Sequence, residues 1–229
     1  MSDTIVEAVP RALRDIARLP QQDEVVVAAR QRGITEVLHF TTTKNLVGII
    51  ASGYLKCRNL VSEDHYVENV YDPNCGDRSR DAIWTGYVNM SISRINAWMF
   101  QSSTRWHLSD GNSWVVLAFD PVVLGHPGVI FATTNNAYRG ICLRAEGKAG
   151  FDRMFGDRVR GYNRELSRGS LDPKYPTDRC AEVLYPEQLS IEYLTKLYVQ
   201  IETDQDHIPG ILTSLDCRIP LEYVPEVFA

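Results

Sequence analysis

Six apolar residues in a row, Trp114-Val-Val-Leu-Ala-Phe119, constrain this chain more than any other feature. A strand sends alternate side chains to opposite faces, so a run that is apolar at both parities must be covered on both sides. It is therefore expected to be an interior strand of a sheet with layers above and below. Tyr87–Ile92 (YVNMSI) alternates instead, with Val88, Met90 and Ile92 on one face. Ile34–Thr41, Val129–Thr133, Ala181–Tyr185 and Leu197–Ile201 complete the candidate strands.

Helical pattern is shorter and scattered. Residues 11–32 read as two pieces broken at Pro20, the second capped by Asp23 and stopped by Gly33. Thr42 or Thr43 caps KNLVGIIAS, which buries Leu46, Ile49 and Ile50 and ends at Gly53. Further helical stretches are expected at 96–101, around Phe151, Met154 and Phe155, and at 208–214. Residues 56–82 are polar and turn-rich, and are expected to form a long loop of functional interest. Short strands without evenly interleaved long helices predict a mixed α+β fold and argue against a doubly wound parallel sheet.

At 229 residues the chain suits one large domain, or at most two small ones, and can bury a core around a cleft. The predicted division is a helical extension over 1–33 and a main domain over 34–229. No apolar run approaches membrane-spanning length. Acids and arginines interrupt every apolar stretch of the first twenty residues, against a secretory signal. The five cysteines are widely spaced, with no C-x-x-C pair, and read as reduced thiols. A cytoplasmic protein without membrane attachment is expected.

Familiar catalytic motifs are missing. The five histidines form no H-x-x-x-H or H-E-x-x-H pattern, and no metal site is predicted. There is no G-x-S-x-G elbow, and Cys180 reads as a buried structural cysteine. Neither a phosphate-binding G-x-x-x-x-G-K-[ST] nor a G-x-G-x-x-G follows a strand.

Three constellations stand above this background. His39 and Thr41 share a face at a strand end, just ahead of Asn45 on a helix start. They are either ligand-binding groups, able to hold a ribose or an amide, or a satisfied core histidine beside a helix cap. Glu182 lies between Ala181 and Val183 on an apolar strand, where an unpartnered carboxylate is costly. Arg78 and Arg80 in the long loop are its candidate cationic partners, or else solvated loop residues. Finally, residues 139–168 carry eight bases against four acids, a net +4 in a chain of net −5. Tyr138, Phe151, Phe155 and Tyr162 interleave with these bases, Arg153, Arg158 and Arg160 among them. Cations with aromatic platforms suit a single nucleic-acid strand, and equally an arginine-rich solvent face.

In order, the chain shows His39-Phe-Thr with Asn45-Leu46, Gly53-Tyr-Leu55 and Arg80-Asp81. Tyr87-Val-Asn-Met-Ser-Ile92 with Asn96 follows, then Trp114-Val-Val-Leu117 with Asp120-Pro121, and Pro176-Thr-Asp-x-x-Ala-Glu182-Val-Leu. This succession resembles the DarT-type DNA ADP-ribosyltransferase toxins, from about Ile34 to Val199. The resemblance implies two small packed sheets around an NAD cleft with flanking helices. It implies transfer of ADP-ribose from NAD to a base, guanine or thymine, in single-stranded DNA. His39, Thr41 and Asn45 would bind NAD, Glu182 would be the catalytic glutamate, and Arg80, or else Arg78, the catalytic arginine. The Trp114 strand and the Asn96 segment look more like the branch associated with guanine. The resemblance also implies a cognate antitoxin that removes ADP-ribose from DNA.

The residue types suit that chemistry. Breaking the nicotinamide–ribose bond develops positive charge on the sugar, which a nearby carboxylate stabilises. The attacking base must lose a proton to a general base. An arginine would orient the reactants and offset negative charge. A base locked in a duplex cannot present its ring, so a single strand is the expected substrate. Transfer to RNA, protein or water, and a non-catalytic nucleic-acid binder, are the alternatives. A strand-borne carboxylate speaks against the second.

Overall fold

The computed structural model describes residues 23–63, 71, 74, 82–107, 113–202 and 204–229. Arg78 and Arg80, singled out above, lie outside the described residues, as do His65 and Cys75.

In chain order the elements are α1 (Glu24–Gln31), β1 (Val37–Thr42), α2 (Thr43–Ser52), β2 (Tyr54–Lys56), α3 (Arg58–Glu63), β3 (Tyr87–Ile92), α4 (Ala97–Trp106), β4 (Trp114–Phe119) and β5 (Ile130–Ala132). There follow β6 (Arg144–Glu146), α5 (Gly147–Met154), β7 (Arg158–Arg160), β8 (Glu165–Ser167), β9 (Glu182–Pro186), β10 (Gln188–Ser190), β11 (Leu194–Val199), α6 (Asp204–Ser214) and β12 (Leu221–Tyr223). Eight strands form one sheet in the order β12-β11-β4-β1-β3-β9-β5-β6, with β2–β10 and β7–β8 as separate pairs.

Strand β4 behaves as its sequence demands. Val115, Leu117 and Phe119 enter the main core with Leu46, Ile49 and Phe151. Trp114, Val116 and Ala118 enter a second cluster on the other face, with Leu38, Phe100 and Phe228. Each set loses its apolar surface to a different layer, about 25 cal/mol per Å² of burial.

The two expected sheets are halves of this one sheet, joined at a weak seam. Strand β1 pairs with β4 along its whole length, from Val37 to Thr42. With β3 it pairs only at Val37↔Ile92 and Leu38↔Ser91. The other end of β3 stays with β9, from Tyr87 to Met90. Beyond Leu38 the two strands therefore follow different partners, and a cleft opens between them.

Local signals place the flanking helices. Asp23 Oδ1 accepts from the amides of Val25 (2.8 Å) and Val26 (3.2 Å), capping α1. Thr42 caps α2 through the Asn45 amide at 3.3 Å. Gly53 closes α2 at φ 75°, a left-handed conformation that a β-carbon would strain. Helix α1 buries Val25, Ala28 and Ala29 in the main core.

Three expectations are corrected. The polar stretch from 56 begins as structure, since β2 ends at Lys56 and α3 follows. The basic stretch after α5, absent from the expected strands, is a hairpin, with Arg158↔Ser167 and Arg160↔Glu165 in register. The amphipathic piece at 96–101 runs on to Trp106 as a full helix, capped by Asn96. No helix among the described residues is long and apolar enough to cross a membrane.

Candidate active site

The cleft between the separated strands is a cavity of about 520 Å³. Its lining includes His39, Thr41, Asn45 and Glu182, four of the residues singled out from sequence. They come from β1, the start of α2 and the start of β9.

Glu182 is 7% exposed and heavily solvated by protein donors. Its Oε2 accepts from the Asn89 side chain (3.1 Å) and the Asn136 backbone amide (2.9 Å). Its Oε1 accepts from the Asn135 side chain at 3.2 Å. Three donors offset the desolvation of a carboxylate that would otherwise be costly inside a strand. They also fix the direction in which its oxygens face.

His39 is tied to β3, the strand of Asn89. Its Nδ1 lies 2.9 Å from the Asn89 carbonyl. Burial lowers its pKa to about 4, against the raising effect of that hydrogen bond, so the ring is neutral at pH 7. A carbonyl only accepts, so Nδ1 carries the proton and Nε2 is left as an acceptor. Asn89 thus bridges the site: its carbonyl holds His39 and its side chain holds Glu182. Thr41 Oγ1 accepts from Asn45 Nδ2 at 2.9 Å, which links the strand end to the helix start. Asn74 donates to the Phe40 carbonyl and lines the cavity beside them.

Sequence reading missed the residues that hold Glu182. Asn135 and Asn136 sit in the turn after β5, and Arg144 clamps that turn. Its guanidinium donates to the Asn136 side-chain and main-chain oxygens, and to the Cys142 carbonyl at 3.2 Å. It also lies over the Trp84 ring, 5.1 Å from the centroid. The Asn135-Asn136 pair was the available signal, since adjacent amides after a short strand mark a turn with donors to spare.

The basic segment divides. Arg144 is committed to the turn. Arg168 donates to the carbonyls of Asp172 and Tyr175, both at 2.9 Å, and so anchors the loop that leads to Glu182. Arg153, Arg158 and Arg160 are exposed and line no part of the cavity. Arg158 forms a surface ion pair with Glu165 at 3.1 Å. The hairpin does reach the mouth through an aromatic contact: Tyr162, between β7 and β8, lies 4.8 Å from the ring of cavity-lining Tyr138.

Cys180 is buried, and desolvation ahead of neighbouring acids pushes its thiol up to about 12. That keeps the thiol protonated and a poor nucleophile, although Cys180 also lines the cavity. Among the described residues no three His, Cys, Asp or Glu side chains gather as metal ligands would.

The arrangement is one oriented carboxylate and a neutral histidine facing a cavity, set where a sheet divides. A family model described as the single-stranded-DNA thymidine ADP-ribosyltransferase DarT matches residues 38–229. The chain belongs to that family. It is an NAD-dependent ADP-ribosyltransferase that modifies a base in single-stranded DNA. The fold agrees with solved relatives. DarT of Thermus sp. 2.9 in complex with NAD+ is similar over 85% of this chain and 98% of that one, at 12% identity and a TM-score of 0.60. The same protein in complex with ADP-ribosylated single-stranded DNA gives 12% identity and a TM-score of 0.58, over 86% and 97%. Thermosipho africanus DarTG in complex with ADP-ribose gives 11% and 0.54, over 85% of this chain and 51% of that one. No curated protein matches the sequence significantly.

Proposed function

We propose that the cavity at the β1–β3 seam is where ADP-ribose passes from NAD to DNA, with Glu182 as the catalytic carboxylate. The observation that carries this is the three-donor cradle around Glu182, in the same cavity as His39, Thr41 and Asn45. A volume of about 520 Å³ lies within the usual range of ligand sites. The polar set also suits a dinucleotide. The acceptor nitrogen of His39 and the Thr41–Asn45 pair offer partners for ribose hydroxyls and amides. Arg80, or else Arg78, is the proposed cationic partner.

In the transfer the ribose–nicotinamide bond breaks and nicotinamide leaves with the electron pair. The Glu182 carboxylate stabilises the positive charge that develops on the ribose. The base forms the new bond to that carbon, and its proton passes to Glu182. Asn89, Asn135 and Asn136 keep the carboxylate oxygens aimed throughout.

The domain performing this chemistry spans 34–229, with 1–33 as an N-terminal extension in which α1 packs on the core. Exposed Arg153, Arg158 and Arg160 contact DNA phosphates. Thymine is the acceptor in the family's description, and guanine is the alternative raised by the Trp114 and Asn96 segments. The protein acts in the cytoplasm as a toxin, opposed by a cognate antitoxin that removes ADP-ribose.

Labelled NAD incubated separately with single-stranded DNA, RNA and protein should label only the DNA. Oligonucleotides lacking thymine or guanine identify the base. Label on RNA or protein alone would overturn the DNA reading. Replacing Arg153, Arg158 and Arg160 together should flatten the salt dependence of DNA binding by roughly 0.7 in log–log slope per lost phosphate contact. An unaltered slope would make this cluster a solvated face.

A further inference from the structure

Helix α4 carries a feature that the transfer site does not use. Its inner side, Ala97, Phe100 and Ser103, is buried. Its outer side should then be polar, as on any surface helix. Instead Trp98 is 55% exposed and Trp106 48% exposed, and both line the mouth of the cavity that holds Glu182. Eight residues apart, they stand on one side of the helix about 12 Å from each other. Arg179, three residues before Glu182, places its guanidinium 5.8 Å from the Trp98 ring centroid. Arg105, beside Trp106, is exposed.

We propose that the Trp98–Trp106 ridge is a stacking platform for the bases that flank the target nucleotide. The inference rests on the single-stranded-DNA reading of the site. Every base has a π-face, so exposed tryptophans bind a strand without reading its sequence. The span of about 12 Å matches roughly three steps of a stacked strand at about 3.4 Å each. Trp98 therefore takes a base close to the target and Trp106 one about three nucleotides away. Arg179 and Arg105 supply cations along the same path, which a chain of net charge −5 must provide locally.

The test measures binding of a fluorescent oligo-dT single strand to wild type, Trp98→Ala, Trp106→Ala and the double variant. The NAD-induced rise in melting temperature is recorded for each. Each single change should weaken DNA binding about ten-fold, as expected for loss of one stacked base. Phe at either position should restore most of the affinity, and the NAD-induced rise should be unchanged. DNA affinity of the double variant within about two-fold of wild type would overturn the proposal. So would loss of the NAD response with DNA affinity intact, which would assign the ridge to NAD. Failure of the wild type to bind or modify the strand would instead remove the DNA reading on which the proposal rests.

Discussion

Two buried polar clusters hang from the same strand, β9, and they are built for different ends. At its start Glu182 faces the cavity and accepts from Asn89, Asn135 and Asn136. Three residues on, and so on the opposite face, the Tyr185 hydroxyl lies 2.6 Å from His126 Nδ1, with the Tyr193 ring 4.8 Å from the imidazole. His126 resembles His39 in being held near pKa 4 by burial. Yet His126 does not line the cavity that holds Glu182, and its Nε2 has no partner among the described residues. Burial and a displaced titration therefore do not by themselves mark a site. What distinguishes His39 is its position where β1 and β3 part.

The sharpest separation of the two clusters comes from Glu182→Ala. Transfer to DNA should fall about 10³-fold, with the melting temperature nearly unchanged, because the side chain faces a cavity. Arg144→Gln should lower kcat about 10-fold or more through a misaimed carboxylate, with KM for NAD within about two-fold. A change in KM alone would show that Arg144 serves binding rather than aim. His39→Ala should weaken NAD about ten-fold, or about 1.4 kcal/mol, read as a smaller NAD-induced rise in melting temperature. Tyr185→Phe should cost about 1–3 kcal/mol in urea unfolding by orphaning His126, and leave kcat untouched. A drop in kcat there would erase the distinction between the clusters.

Acid sharpens the same contrast. Both histidines are neutral when folded, with pKa values below the unfolded value near 6.5. Their contribution to stability is complete above about pH 6.5. It is lost as the pH falls towards 4, because the unfolded chain takes up protons that the folded one does not. His126→Phe should flatten that decline by about 2 kcal/mol without altering the NAD response. Denaturant melts at neutral pH and near pH 4.5 measure it.

Local signals made much of this legible. The double-sided apolar run forced β4 inside, Asp23 and Thr42 announced two helix starts, and Gly53 an end. The parity of His39 and Thr41 and the odd carboxylate at Glu182 pointed to the cavity residues. The remainder depends on pairing between distant segments. Asn89 meets Glu182 only because β3 joins β9, and Asn135 and Asn136 arrive only because β5 pairs with β9 on its other side. Arg144 read as one of eight surface bases, since nothing local shows a guanidinium turned inward. The hairpin Arg158–Ser167 was hidden by strands of three residues, too short for alternation to register.

The central claim is that a carboxylate aimed into the β1–β3 cavity performs the transfer while its neighbours hold NAD. Glu182→Gln tests it most directly, since the amide keeps the shape and removes the charge. Melting with and without NAD is compared with transfer of labelled ADP-ribose to single-stranded DNA. The expected result is a variant that NAD still stabilises but that leaves the DNA unlabelled. Transfer at the wild-type rate by Glu182→Gln would contradict the account.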